Sequence, residues 1–307
     1  RFIRQNKVRF DKEMITRNSD GEALSIRQFK NVREQNGFIR EELERTRNFA
    51  GVAVLFRNNL SAISLAQELD LGGILFYLRE SGQDRFFQHW TVNDVLNYMR
   101  FSYNDKNLPV FEKIRTKLNV YVSKTQLEYL QGIRIERSIM EILAELPDLP
   151  DQRRKQYLEL KEQFRQLNTL APFKAIQYIR STMNYDQVVG RICEQLGFAR
   201  EYPESIMGIL ENIAARKKTL PDFAHRLVYL EDLIKRSSKN KNANAVTLST
   251  IHSAKGLEWE QVYLVDLVEG IIPDRQAMEF SDINLSTLEE ERRLFYVGMT
   301  RAKHDLT

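Results

Sequence analysis

Two stretches of β-type sequence flank one long stretch of helical sequence, and this arrangement constrains the fold more than any other feature of the chain. Between residues 91 and 240 glycine is scarce, and apolar residues recur at the i, i+3, i+4 spacing of amphipathic helices. Prolines separate these helical segments or fall near their starts. The pattern predicts a large all-helical domain inserted into a domain of a different class.

The flanking stretches carry the short, continuous apolar runs of strands that are buried on both faces. The runs are GVAVLFRNN (Gly51 to Asn59), ILFYLRE after Gly72-Gly73, and VTLST at the start of the stretch from Val246 to Leu267. Helical sequence alternates with them, which is typical of a parallel sheet. We therefore predict an α/β fold in which a parallel-sheet domain is split by the insertion, with domains at 1–90, 91–240 and 241–307.

Local signals predict further elements. Asp20-Gly21 lies between two β-type runs in KEMITRNSDGEALSIRQF, which favours a hairpin. The segment TQLEYLQGIRIERSIMEILAEL has the periodicity of one amphipathic helix. Ser286 and Glu289 fit a capping box, so we predict a helix that opens there and runs to about Val297.

Composition excludes several classes of protein. The chain has a single cysteine, Cys193, so a disulfide framework is excluded, and no apolar run approaches the roughly 18 residues of a membrane span. These features predict a cytoplasmic protein without membrane association. The net charge of +4 permits a polyanionic partner without requiring one. The start at Arg1 and the ending RAKHDLT indicate a fragment of a larger protein.

The sequence also lacks the common self-sufficient catalytic signatures. It contains no G-x-x-x-x-G-K-[ST] phosphate loop and no His and Cys clusters with zinc spacing, so we predict no metal site. Its four histidines are scattered, without a Ser/His/Asp grouping. By itself the chain is therefore not expected to hydrolyse nucleoside triphosphates.

The polar segment after VTLST is the first candidate site. A strand of a parallel sheet delivers the residues that follow it to a ligand-binding edge, here Thr250, His252 and Lys255. Gly256 would let the backbone approach a ligand closely, and Glu258 could accept hydrogen bonds from ribose hydroxyls. Spacing leaves two interpretations open: a phosphate and sugar site, or a surface loop with a satisfied charge pair.

Arg301 is the second candidate, and it has two interpretations as well. It follows the predicted final helix in YVGMTRAK, where a cation can complement the helix carboxyl terminus. It could equally be an arginine finger directed at a phosphate on another domain.

Three motifs occur in order: STIHSAKGLEW, VEGIIP and EEERRLFYVGMTRAK. Together they closely resemble the C-terminal signature of superfamily 1 helicases of the UvrD/Rep/PcrA type. GVAVLFRNN resembles an earlier strand-plus-arginine motif of that family, and GGILFYLRE…RFFQHWTVNDVLNYMRF resembles the lead into its helical insertion. The resemblance implies that the split sheet is the second RecA-like domain of an ATP-dependent DNA helicase.

The resemblance also implies a nucleotide site. Arg301 would reach the γ-phosphate of ATP bound between two RecA-like domains, and Lys255, Gly256 and Glu258 would line the same cleft, with Glu258 at the ribose. ATP would bind with Mg²⁺, whose ligands are expected in the missing N-terminal RecA-like domain. That domain would be a partner of this chain.

A second set of residues is implied to contact single-stranded DNA. Thr250 and His252 would face away from the nucleotide toward the strand backbone, and Arg57 and Asn59 would add contacts near it. The family points to 3′-to-5′ movement and to a role in DNA repair or replication restart.

The chain departs from the family's pattern in three places. His89 and Thr91 stand where an Arg and a Glu are usual, Ile63 replaces a further arginine, and NVYVSKTQLEYL occupies the place of a Gly-Ile-Gly turn. These departures favour an alternative in which the helical block docks a protein partner and ATPase activity is absent. A helicase–nuclease subunit is the other alternative.

Overall fold

The computed structural model describes residues 2–7, 23–46, 48–79, 84–278 and 282–307. Within these ranges the chain forms two compact units, one from residues 1–83 and 230–307 and the other from residues 84–229. The first unit holds a parallel sheet and the second is helical. The predicted fold class, an α/β sheet domain split by a helical insertion, is confirmed.

Five parallel strands form one sheet in the order β2-β3-β1-β4-β5. They are β1 (Val52–Phe56), β2 (Phe76–Leu78), β3 (Val246–Thr250), β4 (Trp259–Leu264) and β5 (Ala302–Leu306). The apolar run of β1 is buried throughout because β1 is the central strand. The insertion separates β2 from β3 in sequence, yet the two strands are neighbours in the sheet.

The helices of the sheet unit are α1 (Val32–Arg45), α2 (Asn59–Leu71), α13 (Arg275–Met278) and α14 (Asp282–Met299). The Asn58 side chain caps α2 by accepting a hydrogen bond from the Leu60 N–H, at 3.1 Å. Helix α14 begins before Ser286, so the predicted capping box is wrong: Ser286 lies inside the helix. A capping-box pattern inside a helix does not by itself mark a helix start.

Gly298 brings α14 close to the sheet. A Cβ atom at this position would lie 2.9 Å from the Cδ2 of Leu264 and 3.4 Å from the Cγ2 of Ile251. Leu294, also on α14, belongs to the apolar core that contains Leu264 and Ile251. Any larger residue here would require the Leu264 side chain to shift, so glycine suits the close approach of α14 to the ends of β3 and β4.

The helical unit contains α3 to α11 and the first part of α12. Their bounds are α3 (Asp84–Phe87), α4 (Trp90–Tyr103), α5 (Leu108–Ile114), α6 (Lys124–Gln131), α7 (Ile139–Ala144), α8 (Asp151–Leu167), α9 (Pro172–Ser181), α10 (Tyr185–Leu196), α11 (Glu201–Ala214) and α12 (Leu220–Ser237). The single helix predicted across TQLEYLQGIRIERSIMEILAEL is wrong. Gly132 ends α6, and α7 starts only at Ile139.

The predicted hairpin turn at Asp20-Gly21 and the run before it lie outside the described residues. The described part of the following run, residues 23–29, forms no strand. Its Ser25 N–H nevertheless donates to the carbonyl of Leu306 at the end of β5, at 3.1 Å.

The departures from the helicase pattern have local structural functions. The Nδ1 atom of His89 caps α4 by accepting from the Thr91 N–H, at 3.2 Å. Ile63 is fully buried in α2. In the segment that replaces the Gly-Ile-Gly turn, Ser123 and Gln126 form a reciprocal capping box that opens α6. His89, Ile63 and Ser123 therefore each stabilise the helix that they begin or belong to.

A buried polar network lies beside His89. The carboxylate of Asp94 accepts a hydrogen bond from the Tyr185 hydroxyl at 2.8 Å and lies 3.4 Å from the Lys117 ammonium. That ammonium also lies 4.4 Å from the ring centroid of Trp90. Burial, assisted by the charge of Lys117, lowers the pKa of His89, while burial raises the pKa of Asp94 against the opposing effects of Lys117 and Tyr185.

This network predicts a pH dependence for the helical unit. The pKa of His89 in the folded chain lies below its ordinary value of 6.5, so the unfolded chain binds a proton first as the pH falls. Stability contributed by neutral His89 is thus complete above pH 6.5 and declines below it. The His89→Asn variant should not show this decline, because asparagine is a good N-cap residue and does not titrate.

The two tryptophans, Trp90 and Trp259, lie in different units, so each unit can be followed separately. Urea unfolding of a Trp259→Phe chain reports on Trp90. We expect its midpoint to fall between pH 7.5 and pH 5.5, and to fall less when His89→Asn is added. Equal declines in the two chains would contradict the assignment to His89.

Candidate functional site

The segment between β3 and β4, residues 251–258, runs from the carboxyl ends of the strands (the carboxyl edge) to their amino ends (the amino edge). It leaves β3 at the carboxyl edge, and because β4 is parallel to β3 it must enter β4 at the amino edge. A strand of five residues spans about 15 Å, so the residues of this crossing segment are divided between two distant edges.

Apolar residues at every third position anchor the crossing segment. Ile251, Ala254 and Leu257 pack in the core formed by the sheet and α14, and Ile251 and Ala254 are completely buried. Backbone turns support this spacing: the Ala254 N–H donates to the Thr250 carbonyl and the Leu257 N–H donates to the Ala254 carbonyl, both at 3.0 Å. With one side held in the core, the polar residues between the anchors are presented to solvent.

The candidate residues of the crossing segment are on that solvent side. His252, Lys255, Gly256 and Glu258 are exposed. Gly256 has a φ of +84°, and no atom lies within 4 Å of the position of a Cβ, so the backbone is open to close approach. Among the residues that the structure describes, the side chains of His252, Lys255 and Glu258 have no ion-pair partner within 4.0 Å. The alternative of a satisfied charge pair therefore has no support.

Arg301 joins the end of α14 to the crossing segment at the amino edge. Its Nε donates to the Val297 carbonyl at 3.0 Å and its Nη1 donates to the Leu257 carbonyl at 2.9 Å. Its Nη2 donates to the Thr300 hydroxyl at 2.9 Å. A guanidinium has five N–H donors, so these bonds leave one N–H on each Nη atom.

The two interpretations of Arg301 are thus compatible. The bond to Val297 satisfies a carbonyl of the last turn of α14, which is the helix-terminus role. The two remaining N–H groups suit the bidentate recognition of a phosphate. Glu258 precedes the first residue of β4, and Arg301 precedes the first residue of β5, so both lie at the same edge of adjacent strands.

The residues assigned to a DNA strand follow β3 and β1 at the opposite edge. Phe56 pairs in register with Thr250, so Arg57 lies beside the start of the crossing segment. Thr250 is buried and its hydroxyl accepts from the Ser253 N–H at 3.3 Å. Only His252 of this set is exposed, and Asn59 is half-buried in the first turn of α2, where its Oδ1 has no hydrogen-bond partner among the described residues.

Arg57 is bound to α14. Its Nη2 lies 3.0 Å from the carboxylate of Glu291, whose second oxygen accepts from the Asp274 N–H at 3.3 Å. The Glu291 side chain is 8% exposed and that of Arg57 is 28% exposed. The Nε of Arg57 is buried and has no hydrogen-bond partner among the described residues. Sequence reasoning missed Glu291, although its position in EEERRLF offered the acidic residue.

A cluster of three further structural residues at this edge was also missed: Asp266, Gln35 and Ser61. Asp266, just past β4, has a φ of +58° and is buried. Its carboxylate accepts from the Gln35 amide at 2.8 Å and from the Ser61 hydroxyl at 2.5 Å, while the Gln35 Oε1 accepts from the Asp266 N–H at 3.1 Å. This cluster ties α1 and α2 to the end of β4, and no local sequence pattern signals it.

The N-terminal segment packs on α14 as well. The Asn6 side chain donates to the Glu289 carbonyl at 2.9 Å and accepts from Arg292 at 2.7 Å. The ring of Phe2 contacts that of Phe295, with centroids 5.5 Å apart. The helix that ends beside Arg301 is therefore held from the sheet and from this segment.

No group of three or more His, Cys, Asp and Glu side chains within the described ranges could hold a metal ion. No helix in the same ranges is both long and apolar enough to cross a membrane.

The general class of this protein is an α/β sheet domain that is divided by a helical insertion and carries polar segments at the two opposite ends of its strands. The family profile of the UvrD-like helicase C-terminal domain matches residues 1–307, so the chain belongs to this family.

Relatives of the chain include named helicases. It is 26% identical to a probable DNA helicase II homolog of Rickettsia conorii over 99% of this chain and 47% of the relative. It is 28% identical to the putative ATP-dependent DNA helicase YjcD of Bacillus subtilis over 87% of this chain and 35% of the relative. For DNA helicase II of Escherichia coli the values are 25%, 100% and 44%. The chain spans less than half the length of these relatives.

The Arg57–Glu291 pair gives a prediction about stability. Replacing one partner leaves the other charge poorly compensated, which costs about 3–5 kcal/mol for a fully buried pair. Because Arg57 is partly exposed, we expect Arg57→Gln to lower the free energy of unfolding by about 1–3 kcal/mol. Urea unfolding followed by Trp259 fluorescence, in a Trp90→Phe background, measures this change.

The double variant Arg57→Gln/Glu291→Gln is the control. It removes both charges, and a glutamine can still accept from the Asp274 N–H. We expect its destabilisation to be smaller than the sum of the single changes by at least about 1 kcal/mol. Additive effects would mean that the pair makes no coupled contribution.

Proposed function

We propose that this chain is the second RecA-like half of an ATP-dependent DNA helicase or translocase with 3′-to-5′ polarity, acting in cytoplasmic DNA repair. The crossing segment carries this proposal. Its apolar residues are fixed under α14, while its polar residues reach the amino edge beside Arg301 and the carboxyl edge beside Arg57. One segment would thereby contact both the nucleotide and the DNA strand.

At the amino edge the chain's residues fit a nucleotide. Lys255 supplies an exposed positive charge, the open backbone at Gly256 allows close approach, and Glu258 supplies a carboxylate for ribose hydroxyls. Arg301 would direct its two remaining N–H groups at the γ-phosphate and stabilise the charge that develops there during transfer. Mg²⁺ would neutralise phosphate charge and would be held by the other RecA-like half.

At the carboxyl edge the exposed His252 would donate to a phosphate of single-stranded DNA. Thr250 is buried, and Arg57 is held by Glu291. We therefore propose that these two residues position the path of the DNA strand. They would contact the strand directly only when the ion pair between Arg57 and Glu291 separates. Asn59 lies at the same edge, and its amide N–H groups would be the donors to the strand.

The docking-module alternative loses its main support. It was favoured by the departures at His89, Thr91, Ile63 and the Ser123 region. The His89 side chain caps α4, Ile63 is buried in α2, and Ser123 caps α6. The helicase half therefore remains the better proposal.

The first test concerns Arg301. In a protein that joins this chain to an ATP-binding first half, we expect Arg301→Ala to reduce kcat for DNA-stimulated ATP hydrolysis by about 10³-fold or more, with a smaller change in KM. Arg301→Lys keeps the charge but not the planar pair of donors, so it should also be strongly impaired. Unchanged turnover in Arg301→Ala would refute the proposed role.

Because Arg301 also binds the Leu257 carbonyl, a structural loss must be separated from a catalytic one. Urea unfolding followed by Trp259, as above, provides the control. Loss of turnover with an unfolding midpoint close to that of the wild type supports direct action on the phosphate. Loss of both together would assign Arg301 to the structure of the crossing segment alone.

The second test compares the two ends of the crossing segment. We expect His252→Ala to raise the DNA concentration needed for half-maximal stimulation about 2- to 12-fold, which corresponds to the loss of one hydrogen bond worth 0.5–1.5 kcal/mol. Lys255→Ala should instead raise KM for ATP. If both variants changed the same parameter, the assignment of the two edges to different ligands would be wrong.

A further inference from the structure

Residues 2–7, which we call the entry segment, bind α14 through a buried asparagine. Asn6 is 4% exposed, and both ends of its amide are bonded to the helix. Its Nδ2 donates to the Glu289 carbonyl, 283 positions away in sequence, and its Oδ1 accepts from the Arg292 guanidinium. A buried amide is costly to leave without partners, so these two bonds fix the register of the segment on the helix.

Two further contacts flank Asn6. The Lys7 N–H donates to the Glu289 carboxylate at 2.7 Å, and the Phe2 ring meets the Phe295 ring edge-on. The bond from Asn6 does not require a break in α14, because a carbonyl oxygen has two lone pairs and can also accept within the helix. The entry segment therefore holds an uninterrupted helix over about two turns.

The entry segment contacts α14 close to the end that carries Arg301. Helix α14 ends at Met299 and rises about 1.5 Å per residue, so Arg292 lies about 10 Å and Phe295 about 6 Å before its last residue. Gly298, which faces the core, lies about 120° around the helix axis from Arg292. The sheet and the entry segment therefore hold different sides of the same helix end.

This arrangement has a consequence for the nucleotide site. In the proposed function the ATP-binding half precedes the entry segment in sequence, so the connection between the halves binds the helix that ends beside Arg301. A displacement of about 1 Å between a catalytic group and the reacting atoms is enough to lower a rate about 10²-fold. The connection is thus placed to set the distance between Arg301 and the transferred phosphate.

We propose that the entry segment is a positioning element for ATP hydrolysis and that Asn6 is its central positioning residue. The inference rests on the proposed function, because Asn6 acts through Arg301. Asn6 does not touch the nucleotide. It keeps α14, and Arg301 with it, in a fixed position relative to the half that holds the phosphates. The segment stays bound to α14 throughout the cycle of hydrolysis.

The experiment measures DNA-stimulated ATP hydrolysis by the protein that joins this chain to its ATP-binding half. We expect Asn6→Ala to lower kcat about 10-fold or more, because Arg301 is misplaced. KM for ATP and the DNA concentration for half-maximal stimulation should change less than about 2-fold, since the lost interaction affects only the transition state. An unchanged kcat in Asn6→Ala overturns the proposal.

The matched control is Gln5→Ala. It removes a side-chain amide from the adjacent position, where the side chain is exposed and forms no hydrogen bond to any residue that the structure describes. We expect its kcat to equal that of the wild type. A decrease as large as that in Asn6→Ala would mean that any change in the segment lowers turnover, and the assignment to Asn6 would be wrong.

A double-variant cycle separates positioning from general stabilisation. If Asn6 acts through Arg301, adding Asn6→Ala to Arg301→Ala should lower the residual kcat less than about 2-fold, measured with radiolabelled ATP. A residue that only stabilised the sheet unit would lower kcat by the same factor with or without Arg301. Equal factors in the two backgrounds would therefore refute the positioning role.

A chemical link keeps the test independent of how well Asn6→Ala folds. Phe2→Cys/Phe295→Cys places two thiols where the ring centroids are 5.5 Å apart, within reach of a short bis-maleimide, and Cys193 is buried. We expect linking to leave kcat unchanged when Asn6 is present and to restore most of the turnover of Asn6→Ala. Loss of turnover in the linked Asn6 protein, or no restoration in the linked Asn6→Ala protein, contradicts a segment that acts by staying bound.

Failure of this inference is separable from failure of the proposed function. Loss of turnover in Arg301→Ala together with wild-type turnover in Asn6→Ala would retain the proposed function and refute the role of the entry segment. Unchanged turnover in Arg301→Ala would refute the arginine finger itself, whatever the result for Asn6→Ala.

Discussion

The burial of Ile251, Ala254 and Leu257 beneath α14 is the interaction on which the candidate site depends. A segment that crosses between parallel strands would otherwise be an ordinary surface loop. Here every third residue is held in the core, so the intervening polar residues have fixed directions. Burial of the three apolar side chains stabilises the segment, while the side chains that remain in solvent determine its binding chemistry. Gly298 contributes to the same packing, since it lets α14 approach the core at this point.

Helix α14 connects the two edges of the sheet. Near its middle Glu291 binds Arg57 at the carboxyl edge, and just beyond its end Arg301 binds the Leu257 carbonyl at the amino edge. From Glu291 to Arg301 the chain advances about 15 Å, which matches the length of a five-residue strand. One helix therefore contacts both the edge proposed to bind nucleotide and the edge proposed to bind DNA.

The helical unit illustrates how a departure from a family pattern can be explained locally. His89 and Thr91 form a helix cap, and Ser123 opens α6 with a capping box. In a motif comparison these residues count only as mismatches to the family pattern. The contacts show that the His89 and Ser123 side chains stabilise the starts of α4 and α6.

The sequence by itself determined the class of fold, the split of the sheet unit and the polar composition of the crossing segment. These properties follow from local patterns, such as the continuous apolar run of β1 and the periodicity of α8 to α12. Local patterns failed where an element boundary depends on its surroundings, as at Gly132 and Ser286. Only the tertiary structure decided that β3 lies between β2 and β1, that Arg301 reaches Leu257, and that Arg57 pairs with Glu291. The physical reason is that strand pairing and helix packing bring together residues that are distant in sequence, and no local periodicity encodes those partners.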